Sequence, residues 1–236
     1  VATTQFNFDA ARAATDYTLQ PGDPATQMDL LPEFAGRMCY QSWNRPNPKT
    51  AENKGYLENI LNQGHYSVLE HASVTFYVEG VSRSLLTELE RHRFISFSVI
   101  SQRYVRVGAN DLTYHPTIED FAHHQILGDE EELTVREEYE NAWQESVAAY
   151  KRLANTLEQV GLPRKKALEA AREVLPNATE VKMVVTGNLR AWRDVIQKRY
   201  SEAADEQILE FAEQVLRHLR RLAPSSVQDI PEEPYA

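Results

Sequence analysis

The chain has 236 residues, 42% hydrophobic and 25% charged, with a net charge of −10. Such a composition is that of a globular protein with a sizeable core, which excludes disordered and fibrous classes. The acidic field repels polyanions and excludes broad nucleic-acid binding, and the lack of any run of about 18 apolar residues excludes a membrane-spanning helix. Residues 1 to 22 show no basic start followed by an apolar stretch, so no secretory signal is read and a cytoplasmic protein is expected. The single cysteine, Cys39, can form neither an internal disulfide nor a zinc site, and its apolar neighbours predict a thiol packed inside a helix.

In chain order, residues 28 to 43 read as a helix, broken by Asn44-Arg45-Pro46-Asn47-Pro48 because proline disfavours helix in the residue before it. Thr50 is placed to cap a helix through Tyr56, Leu57, Ile60 and Leu61 that Gly64 closes. Residues 72 to 78 alternate and are rich in β-formers, which predicts a strand. Ser82 or Ser84 starts a short helix with Leu85, Leu86 and Leu89 inside; Arg91 and Arg93 follow at its C-terminal end, where the dipole favours cations. Residues 97 to 107 are strand-like, and 108 to 128 read as a surface loop with three histidines. The acidic run Asp129-Glu130-Glu131-Glu132 suits a helix N-terminus. Leu133, Tyr139, Trp143, Val147, Tyr150, Leu153, Leu157 and Val160 then give one long amphipathic helix ended by Gly161. Pro163 opens a short helix, 179 to 186 is a strand, 188 to 199 a helix, and Ile208, Phe211, Val215, Leu216, Leu219 and Leu222 mark a last amphipathic helix. These elements predict an α+β fold, a mixed or antiparallel sheet with long helices, as one domain over 1 to 222 with a flexible tail over 223 to 236. No internal repeat and no Gly-x-Gly-x-x-Gly is present, so a dinucleotide would be held without that turn.

The stretch Arg91-His92-Arg93-Phe94-Ile95-Ser96-Phe97-Ser98-Val99-Ile100-Ser101-Gln102-Arg103-Tyr104 sets three arginines and a row of hydroxyls in an acidic protein. Guanidinium forks match phosphate two bonds at a time, so the cluster points to a phosphorylated ligand. If the segment is extended, Ser101 and Arg103 share a face; the competing reading is a solvated basic strand edge paired with surface carboxylates. Asn188, Trp192, Val195 and Arg199 fall at i, i+4, i+7 and i+11, one helical face about 16 Å long, able to serve the two ends of a ligand or simply to bury its middle. His65, Glu70, His71 and His92 are metal-ligand types, but they lack the spacing of helical zinc motifs, so no metal is expected. Ser101 has no His-Asp partner nearby to make it a nucleophile.

Arg91-His92-Arg93, seven residues, then Ser101 resembles the signature of the flavin-dependent thymidylate synthases. Gly64-His65-Tyr66-Ser67-Val68-Leu69-Glu70-His71 and Thr186-Gly187-Asn188-Leu189-Arg190-Ala191-Trp192-Arg193 resemble the same family, in order, within residues 64 to 205. The resemblance implies reductive methylation of dUMP to dTMP by a homotetramer with shared active sites. Methylenetetrahydrofolate would supply the carbon and NADPH-reduced FAD the hydride. It implies that Glu88, Arg91, Ser101, Gln102, Arg103, Arg172 and Arg199 hold dUMP, Arg172 reaching the nucleotide of a neighbouring subunit. It gives FAD to His65, Ser67, Arg91, His92, Arg93, Asn188, Arg190 and Asp194. Arg199 becomes the catalytic residue, favouring ionisation at the pyrimidine N3 by electrostatic stabilisation. This family uses no cysteine nucleophile, which suits Cys39 lying outside every motif. Departures are Val99 for a usual glutamate or glutamine, Glu88 for glutamine, Asp194 for histidine or asparagine and Ala203 for histidine. Each lost ligand hydrogen bond costs about 0.5–1.5 kcal/mol. Two rival readings are a non-catalytic nucleotide-binding protein and a single-strand binder stacking bases on Phe94, Phe97 and Tyr104.

Overall fold

Several helices begin where a side chain can accept a first-turn N–H, with Thr26, Ser82, Thr134, Asn188 and Asp205 among the caps. The computed structural model describes residues 1–20, 23–45, 47–128 and 133–236. In order these form β1 (Ala2–Thr3), α1 (Phe8–Ala14), α2 (Gln27–Tyr40), α3 (Asn53–Asn62), β2 (Ser73–Ser82), α4 (Arg83–Leu89), β3 (Ile95–Val99), α5 (Pro116–Asp120), α6 (Val135–Gln159), α7 (Arg164–Ala171), β4 (Glu180–Asn188), α8 (Leu189–Arg199) and α9 (Glu206–Leu222). The expected helix to residue 43 ends at Tyr40, with Gln41 left-handed at φ 50°, before the Asn44 to Pro48 break, of which Pro46 lies outside the described residues, as does the acidic start over 129 to 132; α6 opens on a capping box between Thr134 and Glu137. Gly64 and Gly161, at φ 68° and 98°, close α3 and α6. In both, the next N–H reaches back to the helix, His65 to Ile60 O and Leu162 to Leu157 O, the Schellman pattern that needs a left-handed residue.

The fold is α+β, with long helices and a four-stranded sheet of order β1-β2-β4-β3, in which β1 runs antiparallel to β2 with Ala2 opposite Thr75. The chain forms two compact units, one of residues 1–76, 92–96 and 185–236, the other of 77–91 and 97–184. Among the described residues, no helix is long and apolar enough to cross a membrane.

In the first unit, α8 packs on α9 and on the 3-10 turn Tyr66–His71. Leu189, Trp192, Val195 and Ile196 of α8 and Ile208, Leu216 and Leu219 of α9 are fully buried, about 1.5–3 kcal/mol for each large apolar side chain. The Trp192 indole N–H donates to Val74 O at 3.0 Å and its ring meets Phe76 edge-on at 5.1 Å. Gly187 makes this possible: a Cβ there would lie 2.8 Å from Ile95 Cγ2 and 3.1 Å from Trp192 Nε1. Gly187→Ala is therefore expected to lower stability by about 1–3 kcal/mol, read from the urea midpoint.

Helix α2 corrects one expectation. Its inward face carries Asp29, Glu33 and Arg37, while Cys39 is exposed, its thiol turned back on Ala35 O. Residues 223 to 236, expected as a flexible tail, pack instead. Asp29 accepts Ser225 N–H, Ser226 N–H and the Ser226 hydroxyl at 3.0, 3.0 and 2.6 Å. Arg220 holds Glu232 at 2.7 Å, and Tyr235 pairs its backbone with Tyr200 and Glu202.

In the second unit, α6 and α7 enclose a core of Trp143, Val147, Tyr150, Ala154, Leu168, Ala171 and Val107. The buried stripe of α6 runs 143, 147, 150, 154, so Ala154 is inside and Leu153 and Val160 are exposed, against the sequence reading. The expected surface loop holds α5 and is pinned to α6, with Trp143 Nε1 donating to Ala109 O and the Tyr139 hydroxyl to Thr113 O, both at 2.9 Å.

Candidate active site

Helix α8 carries most of the site in the first unit. Asn188 ends β4 and starts the helix: its side-chain oxygen accepts Ala191 N–H at 2.8 Å, so the carbonyl end of this amide serves the fold. Arg190, in the first turn, is exposed and reaches Glu70 at 2.5 Å, joining α8 to the turn that bears the exposed His65 and Ser67. Asp194 and Arg199 lie further along. Asp194 Oδ1 holds Lys198 at 2.7 Å, and Oδ2 lies 3.4 Å from His92 Nδ1. Arg199 Nε donates to His92 Nε2 at 3.1 Å. His92 is buried, although its neighbours Arg91 and Arg93 are exposed. Burial pushes the His92 imidazole below its ordinary value; the Asp194 hydrogen bond opposes this and the Arg199 guanidinium adds to it. Burial works against ionisation of Asp194, but the Lys198 and His92 bonds outweigh it and hold the carboxyl below the usual range.

In the second unit, Ser101, Gln102 and Arg103 sit on a turn, where Tyr104 and Val105 N–H both donate to Ser101 O at 3.1 and 2.9 Å. This corrects the expected strand to 107: β3 stops at Val99, and the ladder's last bond is Ile100 N–H to Lys182 O. Ser101 and Arg103 are half-buried and Gln102 is buried, its Nε2 without a protein partner. Arg103 pairs with Glu169 of α7 at 2.8 Å through Nη2, while its Nε is buried and unpartnered. Arg172, half-buried just past α7, lies 3.7 Å from Glu173, and Glu88 is half-buried near the end of α4. Buried donors left without an acceptor cost about 1–3 kcal/mol each.

Sequence reasoning missed His92 as partner for Arg199, Lys198 for Asp194, Glu169 for Arg103 and Glu70 for Arg190. Only the second had a local signal, its i, i+4 spacing; the others join residues far apart in the chain. Among the described residues, no group of three or more histidine, cysteine or carboxylate side chains could hold a metal ion.

A family model described as thymidylate synthase complementing protein matches residues 24–225. The chain is 51% identical over 228 residues to a probable flavin-dependent thymidylate synthase of Mycobacterium phage D29, covering 97% of this chain and 94% of that one. It is 54% identical over 208 residues to a probable flavin-dependent thymidylate synthase of Mycobacterium phage L5, covering 88% and 83%. To the flavin-dependent thymidylate synthase of Mycobacterium tuberculosis it is 47% identical over 221 residues, covering 92% and 87%. The matched range includes the arginine turn and helix α8, and the chain belongs to the flavin-dependent thymidylate synthase family.

Proposed function

We propose that this protein converts dUMP to dTMP by reductive methylation, taking its carbon from methylenetetrahydrofolate and its reducing power from NADPH through FAD. The observation that carries the reading is the pair of buried donors, Gln102 Nε2 and Arg103 Nε, unpartnered on the turn that starts at Ser101, where the stretch resembling the family signature ends. Glu88, Arg91, Ser101, Gln102, Arg103 and Arg172 bind the nucleotide, Arg172 from a neighbouring subunit of a homotetramer working in the cytoplasm. The arrangement of helices and sheet is read as the family's own fold. The relatives' names support the enzyme and give none to the non-catalytic nucleotide binder.

The donor set also fits a flavin. Arg91, Arg93 and Arg190 are exposed guanidinium groups, and Ser67 adds an exposed hydroxyl close in sequence to His65, a composition suited to a pyrophosphate. Asn188, His92 and Asp194 complete the proposed cofactor residues. FAD supplies the hydride chemistry when bound. The protein supplies position and charge: Arg199 holds its cation beside the uracil ring and stabilises negative charge there as N3 ionises.

An absorbance spectrum of the purified protein with added FAD, followed by anaerobic NADPH, tests the reading. Flavin bands that bleach with NADPH and return on adding dUMP and methylenetetrahydrofolate, with dTMP formed, are the expected result. A protein that binds dUMP but no flavin under any condition would return the reading to a nucleotide binder.

A further inference from the structure

We infer that Asp194, acting through His92, is a positioning residue for Arg199. The inference rests on Arg199 being the group that stabilises charge on uracil, and it concerns what holds that group still.

Hydrogen-bond chemistry leaves the three side chains one arrangement. Arg199 Nε carries a hydrogen and no lone pair, so His92 Nε2, 3.1 Å away, must be the unprotonated nitrogen. The imidazole proton then lies on Nδ1, facing Asp194 Oδ2 at 3.4 Å, an oxygen that accepts. Lys198 on the other oxygen, at 2.7 Å, keeps Asp194 ionised. The charged groups around His92 are thus Asp194, Lys198 and Arg199 of α8, with Arg91 and Arg93 flanking it in sequence. Burial and Arg199 both favour the neutral ring, the form this geometry needs. Holding Nε fixes the plane of the guanidinium, and with it the directions of both terminal nitrogens. A side chain with many rotamers is thereby ordered before substrate arrives.

One consequence bears on His92 itself. Both ring nitrogens are engaged within the protein, so a contact from His92 to flavin falls to its ring face or its main chain. A second concerns residue 194, where this chain has aspartate in place of the usual histidine or asparagine. Aspartate places a negative charge behind the imidazole and so sets the pH at which His92 gains a second proton. When it does, Nε2 becomes a donor facing a donor, and Arg199 is released.

The test uses the full chain with nitrogen-labelled histidine, His92→Gln serving to assign the resonance. The expected spectrum shows His92 as the Nδ1–H tautomer, titrating below an ordinary histidine. Asp194→Asn keeps an oxygen for Nδ1–H and removes the charge, so both the His92 midpoint and the acid limb of kcat move to lower pH. Asp194→Ala removes the acceptor and lowers kcat by about 10- to 100-fold, the scale of a small misplacement, with dUMP KM little changed. A His92 ring in the Nε2–H tautomer overturns the inference, as does an acid limb that neither variant moves. The tautomer is read without flavin or nucleotide, so inactivity of every variant toward dUMP would count against the reaction, and the tautomer alone would then decide the positioning.

Discussion

Arg199→Ala is expected to lower the rate of dUMP methylation by about 10²- to 10³-fold, the range for losing one preorganised donor aimed at developing negative charge. Flavin should stay bound, because the proposed phosphate ligands Arg91, Arg93 and Arg190 are separate side chains. The substitution removes a group at the last turn of α8 whose Nε is committed to the buried His92. Nothing else in that helix replaces it: Lys198 is directed to Asp194 at 2.7 Å and Arg193 is held by Asp229 at 2.7 Å. Arg199→Lys separates charge from shape. It keeps a cation but loses the planar fork and the Nε–H that meets His92, so most of the loss should persist. Single-turnover rates at saturating dUMP, with flavin content measured on the same sample, give the answer. An Arg199→Ala enzyme with an unimpaired chemical step would remove this residue from the mechanism.

The elements whose borders rest on local chemistry were legible in the sequence. Ser82 and Asn188 as helix starts, and Gly64 and Gly161 as ends, follow from one side chain or one backbone conformation. Where a border depends on partners far along the chain, composition misleads. Residues 100 to 107 keep a strand-like composition, yet the segment turns at Ser101, whose carbonyl accepts two N–H groups. The long helix α6 shows the same limit: Leu153 is the larger side chain, but Ala154 lies on the face that meets α7. The arginine turn and α8 were picked out as sites from residue type and spacing. Their geometry was not, since the His92–Arg199 bond spans 107 residues and leaves no periodic trace. Nor did the tail announce its packing, because the acceptor that fixes it, Asp29, lies 196 residues upstream of Ser225.

Glu33→Ala is expected to cost about 3–5 kcal/mol of stability, the penalty for breaking a buried ion pair by removing one partner. Glu33 is fully buried on the inner face of α2 and accepts from four directions. Arg37 Nε lies at 2.7 Å, Arg45 Nη1 at 2.6 Å, Asn53 Nδ2 at 2.9 Å and the Tyr17 hydroxyl at 3.3 Å. Two guanidinium groups thus share one carboxylate. Burial and the Glu33 charge together push the Tyr17 phenol far above its ordinary value, so it remains a donor at every working pH. Alanine would leave both cations buried with the carbonyls of Ser42, Thr50, Ala51 and Thr18 and the rings of Tyr56 and Tyr17 for company, none of them charged. Carbonyl oxygens solvate part of that charge but do not neutralise it. An exposed pair provides the comparison. Glu213 and Arg217, also at i, i+4 and 2.7 Å, keep 50% and 64% of their side-chain surface in water. There Glu213→Ala should cost about 0.3–0.5 kcal/mol, as exposed helix pairs do. Urea denaturation of both variants at one protein concentration makes the comparison. The two pairs share spacing and bond length, so a large difference isolates desolvation as the cause. Equal losses would mean that the carbonyls alone hold Arg37 and Arg45 in place.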